Sequence, residues 1–191
     1  MSSRCCNEGT MLWIGLYTGM RPSEILGLTW DRIDFKKMEI TVDRQISRDP
    51  KKIFADHLKT QRAHRTIPLA QELASLIKNH VQNYGLGPHD LLFKNRTGGV
   101  WRYKDALNIM RDYGRKAGLN KGEGIHILRH TFASIAIQAG VNAKQLQATL
   151  GHGSIVDTYD TYGHLFPNDL SNCLDSVAKS LSDNTMKELA N

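Results

Sequence analysis

A mainly helical domain with one small antiparallel sheet, an α+β fold, is what this sequence predicts, on three observations. Apolar residues recur at spacings of three and four over residues 69–83, 103–117, 128–139 and 170–181, the period of helices with one buried side. Between residues 38 and 69 the period drops to two, as in strands. The chain has 191 residues, enough for one domain with a real core and too few for two comfortable ones.

In chain order, residues 10–18, TMLWIGLYT, form an apolar run read as a buried helix cut short at its start. Gly19 stops it, and Pro22 falls in the first turn of a second helix carrying Ile25, Leu26 and Leu28. Residues 38–42 alternate, part of 52–55 does so too, and 65–69 makes a third short strand. The helix over 69–83 sets Leu73, Leu76, Ile77 and Val81 on one side. A connection over 84–101 carries the apolar patch Leu91-Leu92-Phe93. The next helix, 103–117, turns Ala106, Leu107, Met110 and Tyr113 inward and Lys104, Arg111, Arg115 and Lys116 outward. That outward face can track phosphates or be an ordinary wet surface. A loop, 118–124, leads on from it.

Residues 126–166 read HILRHTFASIAIQAGVNAKQLQATLGHGSIVDTYDTYGHLF, and the rest of the chain reads as their support. His126, Arg129 and His130 stand at i, i+3 and i+4 and share one helix face. Leu128, Phe132, Ile135 and Ala139 form an apolar stripe roughly opposite. Gly140 ends the helix, Asn142 caps a second one bearing Leu146 and Leu150, and Gly151 closes that. His152 lies just past the end, with Tyr162 ten residues on. Beyond Pro167, the Leu170, Leu174, Val177 and Leu181 stripe predicts a terminal helix over 168–183.

A hydrophobic share of 40% with 23% charged residues is that of a globular protein. No run has the apolar length of a membrane span, and the N-terminus lacks a signal-peptide pattern. Three cysteines suggest neither a disulfide framework nor a zinc site, and a cytoplasmic address is expected. The net charge of +6 is uneven: residues 94–121 carry eight Lys/Arg against two acids, residues 122–191 four against seven. A basic excess in the middle of the chain suits contact with phosphates, or is a solvated surface.

Arginine, several histidines and a tyrosine are donors around a possible nucleophile. They suit a phosphodiester, whose transition state spreads negative charge over its oxygens. Singly, each is more often a surface or capping residue. Two other functions compete for the segment. Residues 131–152 scan as a helix-turn-helix DNA-binding module, which leaves Arg21, Lys59, His152 and Tyr162 unexplained. His126 and His130 have the i, i+4 spacing of zinc ligands, but the Glu expected after the first is Ile127.

The blocks TGMRPSEILGLTWDRID, HILRHTFAS, LGHGS and TYDTYGHL, with KT followed by QRAHRTIPL, resemble the signatures of the tyrosine recombinases, the phage integrase family. The resemblance runs from about residue 10 to residue 183. It implies the catalytic-domain fold of that family, and a site-specific recombinase (integrase) that cleaves and rejoins DNA through a 3′-phosphotyrosine. It also implies the site: Arg21, Lys59, His126, Arg129, His152 and Tyr162 catalytic, with Glu24 orienting Arg21 and His130 in support. No metal or other cofactor is implied. The partners are double-stranded DNA and further protomers, as a tetramer on DNA with the 168–183 helix exchanged between neighbours; no membrane is involved. Type IB topoisomerases share the chemistry but match these blocks less well. Where the family often has Ser, this chain has Ala63, next to the lysine hairpin. The N-terminal DNA-clamping (core-binding) domain and a helix before TGMR have no counterpart, so 1–191 is expected to be a single catalytic domain. An isolated domain, a truncated gene and an inactive DNA-binding remnant all stay open.

Overall fold

The computed structural model describes residues 3–56, 63–95, 97–118, 124–166 and 179. Helix α1 (Ser3–Thr18) starts well before the apolar run. It is buried on one side only: Met11 and Ile14 face the core, while Trp13 and Tyr17 pack on each other with tilted rings at the surface. Gly19 takes a left-handed φ of 61°, and a side chain there would come within 2.8 Å of Leu150 and run into Phe132. The chain therefore turns tightly against the segment that follows residue 126, into α2 (Pro22–Leu26).

The sheet is antiparallel, in the order β1 (Ile33–Asp34), β2 (Glu39–Val42), β3 (Arg65–Pro68). Ile40 pairs with Ile33 on one side and Ile67 on the other, so three β-branched side chains share the core-facing row. Residues 52–55, expected as a strand, contribute only the isolated bridge from Phe54 to Ile46. Phe54 lies under the Arg44 guanidinium while Ile53 is exposed, so that stretch has no second inward side chain to hold it to a sheet. The third strand is Ile33–Asp34 instead.

Helix α3 (Gln71–Tyr84) buries Leu73, Ala74, Ile77, His80 and Val81. Leu76, expected inside, is exposed, because the buried arc centres on Ile77 and His80. His80 Nε2 lies 2.7 Å from the Leu92 carbonyl and donates to it. Phe93 stacks on Trp101 at 6.1 Å. In α4 (Tyr103–Lys116), Ala106 and Met110 are buried, Leu107 and Tyr113 half-buried, and Lys104, Arg111, Arg115 and Lys116 exposed, as the pattern required.

Helix α5 (Ile127–Gln138) departs from its expected faces. Leu128, Arg129, Ala133 and Ile137 are buried, whereas Ile135 and Ala139 face out. Two partners set this arc. Gly15, having no side chain, lets α1 close on Leu128, since a side chain there would stand 2.9 Å from Leu128 Cδ1. Ala133 and Ile137 join Leu146, Leu150 and Tyr162 in a second, smaller core. Helix α6 (Ala143–Leu150) is capped by Asn142, whose side chain accepts from Gln145 N–H at 2.9 Å, and ends at Gly151 with φ 66°. A further short helix, α7 (Ile155–Tyr162), is started by Ser154, which accepts from Val156 N–H at 3.1 Å.

Lys59, and the expected 168–183 helix apart from Lys179, lie outside the described residues. Among the described residues no helix is long and apolar enough to cross a membrane.

Candidate active site

A helix leaves its last carbonyls without intrahelical partners, at the negative end of its dipole. At the end of α6, three successive carbonyls are met by guanidinium groups from three distant places in the chain. Arg65 Nε donates to Thr149 O at 2.7 Å, Arg129 Nη2 to Leu150 O at 2.8 Å, and Arg21 Nη2 to Gly151 O at 3.3 Å. Arg129 Nη1 also donates to Gly19 O at 2.7 Å, which is why the tight turn at Gly19 and the end of α6 stay together.

Three cations so close need an anion, and Glu24 supplies it. Its carboxylate, 1% exposed, accepts from Arg21 Nη1 at 2.9 Å and from both terminal nitrogens of Arg65, at 3.1 and 2.8 Å. It also accepts from the Arg21 backbone N–H at 2.8 Å, closing the first turn of α2. Burial alone would raise its carboxyl, but the hydrogen bond and charge of Arg65, then the charge of Arg21, hold it below the ordinary range. Arg129 is 6% exposed. Burial, then the charge of Arg21, lowers it to about 10, so it stays protonated at neutral pH.

Across from these arginines stand the histidines and Tyr162. The Tyr162 hydroxyl lies 3.1 Å from His130 Nδ1, and its ring is parallel to that of His152 at 6.4 Å. Burial raises the phenol above its ordinary value, and Arg129 opposes this. Tyr159, by contrast, is 53% exposed and packs on Phe166. His152 Nδ1 is 2.9 Å from the Thr158 hydroxyl. Burial, then Arg129 and Arg21, lowers it to about 4, so it is neutral at neutral pH. His126 begins α5 with its ring 6.4 Å from Tyr103, and burial, then Arg129, holds it below its ordinary value.

The structure thus brings Arg21, Glu24, His126, Arg129, His130, His152 and Tyr162 into one neighbourhood, with His130 rather than His126 against the tyrosine hydroxyl. Two contributors escaped the sequence. Thr158, in α7, orients His152. Arg65 read only as the start of a strand, and no local period reveals that it reaches Glu24, 41 residues away. Among the described residues no group of three or more His, Cys, Asp or Glu side chains is gathered as metal ligands would be. What the arrangement can do is bind an anion between guanidinium groups beside a buried phenol.

These shifts predict acid lability. His152 is neutral in the fold down to about pH 4 but takes a proton near 6.5 when unfolded, so its share of stability falls as the pH drops from 6.5 to 4. Glu24, depressed from 4.5, adds stability that is present above that value and lost as acid protonates it in the fold. Melting temperature should therefore decline steadily below pH 6.5, and His152→Gln should make the upper part of that decline shallower. A flat melting temperature from pH 7 to 4 contradicts this.

A family model described as the phage integrase family matches residues 2–169. A tyrosine recombinase XerC-like protein of Caldanaerobacter subterraneus is 29% identical over 185 residues, covering 84% of this chain and 46% of that protein. The transposase of transposon Tn916 from Enterococcus faecalis is 30% identical over 162 residues, covering 78% of this chain and 40% of its own. The chain spans about half the length of the relatives it matches, or less. Among solved structures, the Tn1549 transposon integrase in complex with transposon right end DNA superposes with a TM-score of 0.71 at 26% identity, over 91% of this chain and 58% of that one. The catalytic domain of bacteriophage HP1 integrase gives 0.58 at 26% identity, over 87% and 80%.

Proposed function

The chain belongs to the phage integrase family, and from that premise we propose that it is a site-specific recombinase, cutting and rejoining double-stranded DNA through a tyrosine. The observation that carries this is the meeting of a buried phenol with guanidinium groups at the end of α6. Tyr162 attacks the scissile phosphorus, its oxygen forms the new P–O bond, and the bond to the 5′-oxygen breaks, leaving a 3′-phosphotyrosine and a 5′-hydroxyl. A free phenol titrates at about 10 and is a poor nucleophile at neutrality, so its proton must be taken as it attacks. His130 Nδ1, 3.1 Å from the hydroxyl, is placed to take it.

Arg21 and Arg129 bind the nonbridging oxygens. Each guanidinium has five N–H donors, and the bonds to Glu24, Gly151, Gly19 and Leu150 use two per residue, leaving donors for phosphate. His126 and neutral His152 add hydrogen bonds, and Lys59 protonates the leaving oxygen. The phosphotyrosine keeps the energy of the broken ester, so the reverse attack by a 5′-hydroxyl can rejoin strands. The partners are double-stranded DNA and further protomers of this chain upon it. The sparse cysteines are in keeping with work in the cytoplasm.

The experiment is incubation with nicked duplexes cut from the DNA flanking the gene, which trap the adduct by losing the short 5′ fragment. A protein–DNA species that survives detergent is expected. DNA binding with no adduct on any flanking duplex points instead to a non-catalytic remnant.

Binding by this chain alone should be weak and salt-sensitive. Its exposed basic face on α4 is small, and nonspecific electrostatic contact gives Kd values of about 10⁻⁴ to 10⁻⁶ M at physiological salt. Fluorescence anisotropy across a salt series checks this. Nanomolar, sequence-selective binding in moderate salt contradicts it.

A further inference from the structure

We propose that Arg65 is a positioning residue for strand cleavage: acting through Glu24, it fixes the direction in which Arg21 presents its donors to the scissile phosphate. This rests on the recombinase function proposed above.

Arg65 itself has little left to offer DNA. Four of its five N–H donors are engaged, Nε with Thr149 O, Nη1 with Ala63 O and Glu24, and Nη2 with Glu24, whereas Arg129, equally buried, uses two. Arg21, by contrast, keeps 31% of its side chain exposed. The two guanidinium groups grip one carboxylate. The terminal torsion of a Glu side chain is broad and weakly restrained, and although the Arg21 backbone N–H holds Oε2 at 2.8 Å, Oε1 could still swing with the mobile guanidinium it is to direct. Arg65 stops that swing by taking both oxygens at once, Nη1 to Oε1 at 3.1 Å and Nη2 to Oε2 at 2.8 Å, the planar two-point fit that lysine cannot reproduce. With the carboxylate plane fixed, Oε1 offers Arg21 Nη1 one direction of approach, at 2.9 Å.

The far side of Arg65 is fixed as well. Its Nε–H bond to Thr149 O ties β3 to the end of α6, the helix end that also seats Arg21 and Arg129. Gly151 leaves the room: a side chain there would stand 2.9 Å from Arg65 Nη1. Arg65 is thus braced by α6 and passes that rigidity to Arg21 through a carboxylate.

A purely structural role for Arg65 would lower stability without acting through Arg21, and the test separates the two. Arg65→Lys keeps the charge that Glu24 needs and loses the two-point grip. Measured at saturating nicked duplex, its single-turnover rate of adduct formation should fall by about 10²-fold, the scale of an ångström misplacement, with cooperative melting kept and DNA affinity within about twofold. In an Arg21→Ala background the same change should cost less than about threefold, because the group it positions is gone. Equal losses in both backgrounds, or a wild-type rate for Arg65→Lys, overturn the proposal. A second readout does not depend on cleavage: in ¹⁵N-arginine-labelled protein the Arg21 Nε–H resonance should be sharp in the wild type and broadened in Arg65→Lys. If the wild type forms no adduct yet this broadening appears, the recombinase function fails and the positioning role stands. An unchanged resonance overturns the positioning role.

Discussion

Tyr162→Phe is expected to abolish the covalent protein–DNA adduct while leaving a folded domain that binds DNA as the wild type does. The ring is what the fold uses: it is 3% exposed, sits in the small core with Ala133, Ile137, Leu146 and Leu150, and lies parallel to His152. Phenylalanine keeps all of that. The loss is one oxygen and its bond to His130 Nδ1, a net cost of about 1 kcal/mol, or a melting shift of roughly 2–4 °C for a domain of this size. The loss to chemistry is total, because no other atom there can form the phosphoester. Tyr159→Phe should leave the adduct intact, since that side chain faces out beside Phe166. An adduct that survives Tyr162→Phe and is lost in Tyr159→Phe reverses the assignment.

The second large effect is on stability. Glu24→Ala removes the carboxylate, 1% exposed, that accepts from Arg21 and Arg65, and leaves both beside Arg129 at the end of α6. Breaking a buried charge pair by deleting one partner costs about 3–5 kcal/mol, a large part of the roughly 5–15 kcal/mol that holds a domain folded. The melting temperature should drop by about 10 °C or more, and adduct formation should fail even where the variant is still folded. Glu24→Gln should fall between, because its amide keeps one acceptor but turns a donor toward the arginines. A melting shift of only a few degrees in Glu24→Ala contradicts the view that this carboxylate balances the arginines.

The parts of the site that sequence made legible are those carried by short local patterns. His126, Arg129 and His130 share a helix segment, Asn142 and Gly151 bracket α6, and Gly19 with Pro22 marks the turn that delivers Arg21. The mainly helical fold with a small sheet was legible for the same reason, since each helix carries its own period. What escaped depends on contacts between distant segments. Arg65 looks like any strand residue until β3 lies against α6 and α2. Ile135 and Ala139 continue the stripe begun by Leu128, yet they face out, because α5 must serve both α1 and the small core around Tyr162. Arg129 sits on the face read as polar and open, and is buried because two backbone carbonyls replace water around it. The alternation at 52–55 has no second inward side chain, Ile53 being exposed, and yields only the bridge from Phe54 to Ile46, while Ile33–Asp34 pairs with β2. Helix α7 went unread in the sequence; its local signal is the Ser154 and Asp157 capping pair, which the structure shows formed.

The most direct test of the central claim is to locate the bond itself. The chain is trapped on a nicked duplex, the adduct is digested with protease and nuclease, and the nucleotide-bearing peptide is sequenced by mass spectrometry. The expected product carries a nucleotide joined through its 3′-phosphate to the Tyr162 oxygen. A nucleotide on Tyr159 or on any other residue, or one joined through its 5′ end, contradicts the account.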